Sequence, residues 1–191
     1  MAHTPHHGFE RACLTAALVA ASLVHGHWAA AQGRSEIPYE IIVRGRILEQ
    51  IAGDPIRGAM ILVRRDGRSQ DLVVTQADGL YELVLERGSQ YDIAYTAAGQ
   101  VPKRVRIITK GAPHVLDVPT ITMTVDIDLF PPLPNLSAAL FDEVLGKAAY
   151  DEKARDIIWD EQYGKKMRNS IRLFMAKYDA QMEKQEAVAG R

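Results

Sequence analysis

Apolar residues recur at every second position between residues 39 and 129, a spacing that restricts this part of the chain to half-buried β-strands. The clearest run comes last, where Thr and Asp separate five apolar residues: Ile121, Met123, Val125, Ile127 and Leu129. Turn signals such as Asp66-Gly67 and Asp78-Gly79 divide the runs at intervals of roughly ten residues. No segment of helical length lies between them, which excludes a parallel α/β fold. The pattern predicts a mainly β protein, a seven-stranded antiparallel β-sandwich.

The pattern changes after residue 130. The segment Pro131-Pro132-Leu133-Pro134 ends the last strand because proline cannot donate to a sheet. Beyond it the sequence predicts a short helix over 136–145 and a polar stretch over 150–156. From about Asp160 onward apolar residues recur at three- and four-residue steps, which predicts a C-terminal α-helical extension.

The first 31 residues have the features of a secretory signal peptide. The uncharged run from Leu14 to Val24 is well short of the ~20 residues that a membrane-spanning helix needs. Ala29-Ala30-Ala31 then supplies the small side chains that signal peptidase accepts, so we expect cleavage before Gln32. The expected organisation is a signal peptide over 1–31, a sandwich over 37–130, and a Pro-rich linker with a helical tail over 131–191.

Cleavage of this leader would remove most of the side chains that commonly carry catalytic or metal chemistry. The single cysteine, Cys13, and five of the six histidines precede the cleavage point, which leaves His114. One histidine and no cysteine cannot assemble a Cys/His zinc site or provide a cysteine nucleophile. The sequence therefore predicts a non-enzymatic protein without metal or cofactor. Export would place it in the periplasm, at the outer membrane or outside the cell, with no transmembrane segment in the mature chain.

Charge is nearly balanced, with 23 basic and 24 acidic side chains and a formal net charge of −1. Nucleic-acid binding requires a basic surface that contacts phosphates, so this balance argues against a nucleic-acid partner. From Asp151 onward basic and acidic residues are again nearly equal in number, which argues against a polybasic membrane-binding tail.

Three blocks of sequence occur in a fixed order within the predicted sandwich. They are Val43-Arg44-Gly45-Arg46-Ile47, Gly53-Asp54-Pro55-Ile56-Arg57-Gly58-Ala59 and Thr75-Gln76-Ala77-Asp78-Gly79-Leu80-Tyr81. Together they resemble the carboxypeptidase regulatory-like family, a transthyretin-like β-sandwich module of exported proteins. The resemblance covers residues from about 39 to 110 and implies the same fold. It also implies an accessory role, since the module accompanies metallocarboxypeptidases without being the peptidase.

Asp126 and Asp128 lie on one face of the last predicted strand, roughly 7 Å apart by strand rise. Calcium takes ~6–8 oxygen ligands, and the neighbouring sequence supplies no others. We therefore expect both carboxylates on a solvated face, where they can pair with arginines of neighbouring strands.

The predicted C-terminal helix carries an apolar stripe that some surface must cover. We take six of its residues as candidate partner-binding residues: Tyr163, Met167, Ile171, Met175, Tyr178 and Met182. The stripe either packs on its own sandwich or docks onto a partner or a second copy, for which Met-rich surfaces are suited. Trp159, outside the predicted sandwich, is a candidate residue for ligand stacking.

These patterns together predict an exported, non-catalytic accessory or scaffold protein. It would bind or position a cell-envelope protein through the sandwich surface and the C-terminal helix, or self-associate through that helix. The alternative is a carbohydrate- or peptidoglycan-binding module.

Overall fold

The computed structural model describes residues 40–113 and 120–189 of the chain. The expected signal peptide over 1–31 and His114 lie outside the described residues. Ten strands, one short 3₁₀ helix and one long α-helix follow each other in this part of the chain. Their bounds are β1 (Glu40–Glu49), β2 (Met60–Arg65), β3 (Arg68–Val74), β4 (Leu80–Glu86), β5 (Gln90–Thr96), β6 (Lys103–Ile108), β7 (Thr120–Thr124), β8 (Ile127–Leu129), the 3₁₀ helix (Ala139–Asp142), β9 (Val144–Asp151), β10 (Asp156–Trp159) and α1 (Glu161–Ala189).

The strands form two sheets around a shared apolar core, which confirms the predicted mainly β character with a C-terminal helix. One sheet has the order β4-β1-β7, with β8 also paired to β1, and the other has the order β10-β9-β6-β5-β2-β3. Both sheets are mixed, because β1 runs parallel to β7 and β8, and β6 runs parallel to β9. The prediction of seven strands, all antiparallel, is therefore wrong in both number and direction.

The last predicted strand is divided into β7 and β8 at Val125 and Asp126. The Val125 N–H donates to the Arg44 carbonyl at 2.7 Å, and the Arg46 N–H donates to Oδ1 of Asp126 at 2.9 Å. Where β7 ends and β8 begins, the Asp126 carboxylate thus replaces a backbone carbonyl as the acceptor for an N–H group of β1. Gly45 lies between the two arginines, where an added Cβ would stand 1.9 Å from the Val125 carbonyl oxygen.

This arrangement corrects the expected ion pairs between the strand carboxylates and arginines, which do not occur among the described residues. Arg44 pairs instead with Glu82 at 2.8 Å, and Arg106 pairs with Asp92 at 2.6 Å. The role of Asp126 is structural, since its carboxylate completes the hydrogen bonding of β1.

The tail contributes two strands to the six-stranded sheet, which corrects the prediction of a short helix over 136–145. The 3₁₀ helix covers only Ala139–Asp142 of that range, and β9 follows it directly. The predicted polar stretch over 150–156 contains the turn between β9 and β10. Ala148 and Ile157 are buried in the sandwich core, so this hairpin is part of the sandwich. The buried position of β9 is occupied by Ala148, and because this side chain is small, the apolar alternation of the hairpin is hard to recognise in the sequence.

Tyrosines pack in the centre of the sandwich. Tyr91 and Tyr95 are fully buried, which confirms the inward direction that the alternation predicts. The Tyr81 hydroxyl donates to the Val125 carbonyl at 2.6 Å and lies 3.0 Å from the Tyr95 hydroxyl. Burial raises the pKa of both Tyr81 and Tyr95, so these phenols remain protonated and keep their hydrogen bonds at physiological pH.

Ala59 provides a test of the packing at the start of β2. It is fully buried, and its N–H donates to Oγ1 of Thr75 at 3.0 Å. We expect Ala59→Leu to overpack the core and lower the free energy of unfolding by ~1–3 kcal/mol. Urea denaturation measures the change, with Met60→Leu as the control at the exposed neighbouring position. An unchanged midpoint for Ala59→Leu would mean that this site has free space.

Candidate functional site

The six residues of the predicted helix stripe all lie in α1, and the structure places them against the chain itself. Met167 and Tyr178 are buried. The remaining four are partly buried: Tyr163, Ile171, Met175 and Met182. Of the two arrangements that the sequence left open, the structure shows the stripe packed within its own chain rather than free for a partner.

A second apolar cluster, which we call the end cluster, covers most of this stripe at one end of the sandwich. Its buried members are Val101, Phe130, Phe141, Phe174 and Tyr178. The Phe130 ring centroid lies 4.9 Å from that of Phe141, 5.7 Å from Phe174 and 5.2 Å from Tyr178. Phe174 is absent from the candidate set, although helical periodicity places it on the same face. Phe130 and Phe141 could not be found that way, because they precede the helix.

Two polar contacts hold α1 to the same end of the sandwich. The Tyr178 hydroxyl donates to the Pro131 carbonyl at 3.0 Å. Nε2 of Gln50, just after β1, lies 3.6 Å from the Met175 sulfur. Both contacts use residues of the stripe, so its polar atoms are also satisfied within the chain.

The beginning of α1 is fixed against β9. Oδ1 of Asp160 accepts the Tyr163 N–H at 2.9 Å, which is the geometry of a helix N-cap. The Tyr163 hydroxyl donates to the Val144 carbonyl, and Nζ of Lys147 lies 4.0 Å from the Tyr163 ring centroid. Tyr163 therefore anchors the helix to the outer face of the six-stranded sheet.

Trp159, the candidate stacking residue, ends the edge strand β10 and so belongs to the sandwich, contrary to expectation. Its indole packs over Gly146 of β9, where an added Cβ would come within 2.8 Å of the ring. The residue is 40% exposed. Part of the ring thus contacts the sheet while the rest is open to solvent.

The outer face of the six-stranded sheet carries an apolar surface that sequence reasoning missed. Across β2 and the edge strand β3, Met60 pairs with Val74 and Leu62 pairs with Leu72. These four residues, here called the β2–β3 patch, are 42%, 54%, 43% and 52% exposed in that order. Single exposed apolar side chains are common, but contiguous apolar surface is what monomers seldom leave open.

The composition of β2 explains why this patch faces outward. The segment Met60-Ile61-Leu62-Val63 is apolar throughout, and its members Ile61 and Val63 enter the core. Met60 and Leu62 must then face the other way, because successive side chains of a strand alternate. An apolar run without alternation is typical of a strand buried on both faces, so this run predicts cover on both sides of β2 and conceals the exposed face.

A groove of about 500 Å³ adjoins the β2–β3 patch and contains three arginines. Arg106 is paired with the carboxylate of Asp92 at 2.6 Å. Arg104 donates to the backbone carbonyl of Asp142 at 2.7 Å, and Arg64 donates to a turn carbonyl at 2.8 Å. Two of the three guanidinium groups therefore bond to neutral acceptors and form no ion pair, although Asp92 and Asp142 also line the groove, so they can bind a further anionic group.

Residues 40–113 and 120–189 contain no group of three or more His, Cys, Asp or Glu side chains placed to hold a metal ion. Within the same ranges no helix has the length and hydropathy that crossing a bilayer requires.

No protein-family model matches the chain, and no curated protein matches it. Membership of the carboxypeptidase regulatory-like family therefore remains a prediction.

Several solved structures are similar to part of the chain. Hydroxyquinol 1,2-dioxygenase from Pseudomonas putida is 12% identical, with 49% of this chain and 57% of that chain covered and a TM-score of 0.35. 3-Chlorocatechol 1,2-dioxygenase from Rhodococcus opacus is 9% identical, with 49% of this chain and 60% of that chain covered and a TM-score of 0.36. 5-Hydroxyisourate hydrolase from Klebsiella pneumoniae is 13% identical, with 48% of this chain and 92% of that chain covered and a TM-score of 0.34.

The chain spans only 57% and 60% of the length of the two dioxygenases. With TM-scores this low, the likeness decides nothing about what this chain binds or catalyses.

Proposed function

We propose that this protein is an exported, non-catalytic accessory module that binds a cell-envelope protein through the outer face of its six-stranded sheet. The observation that carries the proposal is the β2–β3 patch, four apolar side chains in register on an exposed face. The apolar stripe of α1 is covered by the end cluster, so the sandwich surface is the stronger candidate for the interface.

The chemistry of this face suggests the kind of segment it would bind. Interfaces combine an apolar centre with a polar rim, and buried apolar anchors supply most of the affinity. Here the β2–β3 patch would form the centre, and the arginine groove would lie at its rim. Arg64 and Arg104 keep charge available for a carboxylate. The expected ligand is therefore an apolar protein segment flanked by acidic side chains.

The scaffold role follows from how the face is supported. The side chains beneath the patch, including Ile61 and Val63, lie in the sandwich core. Strands β2, β5 and β6 are joined by continuous antiparallel pairing, which holds the β2 half of the patch in place before a partner arrives. Preorganisation of this kind lowers the entropy lost on binding.

The test introduces charge into the patch with the double variant Leu62→Asp/Leu72→Asp. A carboxylate in the centre of an interface should lower affinity at least tenfold, because its desolvation is costly and because at position 62 it would compete with acidic groups of the partner for the arginines of the groove. The matched control is Leu80→Asp/Val84→Asp, which alters two residues of similar exposure on the outer face of the other sheet. Cross-linking in the native envelope, followed by identification of the attached proteins by mass spectrometry, measures binding.

We expect the patch variant to lose its cross-linked partner and the control variant to keep it, with thermal midpoints showing that both variants fold. Retention of the same partner by Leu62→Asp/Leu72→Asp would contradict the proposal. Equal loss in both variants would contradict it as well, since the effect would not be specific to this face.

A carbohydrate- or peptidoglycan-binding role is the alternative, and the partly exposed indole of Trp159 is the observation that favours it. Calorimetric titration with glycan fragments separates the two proposals. Binding that is lost in Trp159→Ala but kept in the patch variant would replace the protein-binding proposal with the glycan-binding one.

A further inference from the structure

Charges are separated along α1, although the tail as a whole is nearly neutral. Between residues 165 and 177 the helix has five basic side chains and no acidic one. Between residues 179 and 186 it has three acidic side chains and a single lysine, Lys184. The helix is therefore basic from residue 165 to residue 177 and mainly acidic from residue 179 to residue 186, with Glu161 in its first turn as an acidic exception.

Six of these charges lie on one face of the helix, which we call the charged face. Its members are Lys165, Arg168, Arg172, Asp179, Glu183 and Glu186. With 3.6 residues per turn they fall within a sector of roughly 60°. All six are exposed, and the buried Met167, Phe174 and Tyr178 lie roughly 130° around the helix. The charged face therefore points away from the sandwich.

Nothing among the residues that the structure describes explains this arrangement. Like charges three or four residues apart repel each other, as Arg168 repels Arg172 and Asp179 repels Glu183. Among the described residues no member of the charged face takes part in an ion pair. The helix dipole favours acidic groups in the first turn and basic groups in the last turn, so it disfavours Glu186 in the last turn, although Glu161 in the first turn fits it. This arrangement of charges therefore lowers the stability of the isolated helix.

We propose that α1 binds the α1 of a second copy of this chain in antiparallel orientation through the charged face. In one register, Lys165 lies opposite Glu186 of the second copy. The same register places Arg168 opposite its Glu183 and Arg172 opposite its Asp179. A twofold axis repeats each of these pairings, so every member of the charged face on both chains gains an opposite charge.

The spacing of the residues fits this register. The basic members are three and then four residues apart, and the acidic members are four and then three residues apart. Antiparallel pairing reverses one of the two orders, so a single axis aligns all three pairings. The axis passes beside Ala176, whose small and exposed side chain allows the helices to approach to about 8–10 Å. A pairing of this kind is isologous and closes as a dimer.

The expected dimer is weak and depends strongly on salt, because exposed ion pairs contribute little each and are screened by electrolyte. It would also present two β2–β3 patches on one particle, which raises the avidity for a repeated partner. The dimer does not depend on the proposed function, since the charged face and the patch share no residue.

Sedimentation equilibrium of the purified protein tests the dimer. At about 0.01 M salt, where the Debye length is about 30 Å, we expect a monomer–dimer equilibrium. At about 1 M salt, where the Debye length is about 3 Å, we expect monomer. A monomer at low salt, or a dimer that is insensitive to salt, would overturn the proposal.

Charge reversal identifies the face. The variant Lys165→Glu/Arg168→Glu/Arg172→Glu makes the face wholly acidic, and Asp179→Lys/Glu183→Lys/Glu186→Lys makes it wholly basic. We expect at least a tenfold loss of self-association in each, and a one-to-one heterodimer when the two are mixed. The chain that carries all six reversals should dimerise again. Circular dichroism checks that each reversed variant keeps the helix, so that loss of dimerisation does not reflect loss of the helix.

The matched control is Lys166→Glu/Lys177→Glu, which changes the same kind of charge on the same helix outside the charged face. This variant should dimerise like the unaltered protein. Equal loss of self-association in the control, or failure of the two reversed variants to pair, would overturn the assigned face and register.

Discussion

Phe130→Ala is expected to lower the free energy of unfolding by about 3–5 kcal/mol and to release α1 from the end of the sandwich. Phe130 is fully buried and touches three aromatic rings of the end cluster. Two of those rings, Phe174 and Tyr178, belong to α1, so the cavity left by the substitution would lie directly beneath the helix.

Urea denaturation measures the loss of stability, and amide hydrogen exchange shows whether α1 opens before the strands. We expect exchange in α1 to accelerate more than exchange in β1 or β5. Leu173→Ala is the matched control, because this residue lies in the same helix at 63% exposure and should change stability by less than about 0.5 kcal/mol. If the amides of α1 exchange as slowly in Phe130→Ala as in the unaltered protein, then contacts other than those of Phe130 hold the helix.

The end cluster also shows where prediction from sequence stops. Three- and four-residue steps predicted the helix and its apolar stripe correctly, because that information is local. What covers the stripe is not local: Phe130 follows β8 and Phe141 belongs to the 3₁₀ helix. Neither carries a period that links it to α1. The choice between packing within the chain and docking on a partner therefore required the structure.

The strands give the same lesson in another form. Alternation correctly placed Tyr91 and Tyr95 in the core. It failed for the β9–β10 hairpin, where the buried Ala148 is followed by a second alanine, Ala149, and is too small to mark an inward position. It also could not reveal the β2–β3 patch, because an apolar run in β2 reads as burial on both faces. Exposure of Leu62 follows only from the folded structure, in which the outward side chains of β2 and β3 are exposed.

Composition hides the charged face of α1 for a related reason. Counting charges from Asp151 onward gives near balance, and that balance argued against a polybasic membrane-binding tail. The count ignores position, whereas a helix converts sequence order into separated basic and acidic surfaces. The helix bounds, and the knowledge that Met167 and Tyr178 face the sandwich, are what reveal the charged face.

Gly45→Ala is expected to lower the free energy of unfolding by at least about 3 kcal/mol, because the new methyl group meets backbone rather than a movable side chain. A Cβ at this position would stand 1.9 Å from the Val125 carbonyl oxygen and 3.0 Å from the Tyr81 ring. Relief requires β1 to move away from the joint between β7 and β8. That movement would lengthen the bonds that Arg44 and Arg46 make to Val125 and Asp126.

Gly164→Ala provides the control, since it makes the same chemical change in the first turn of α1. The nearest atom to its added Cβ is the end of the flexible Arg168 side chain, which can move aside. Alanine is favoured over glycine in a helix by about 1 kcal/mol, so this variant should gain stability. Shifts of the urea midpoint in opposite directions, down for Gly45→Ala and up for Gly164→Ala, would show that the close approach of the backbone makes Gly45 necessary. Equal midpoints would mean that β1 and the joint can separate at little cost.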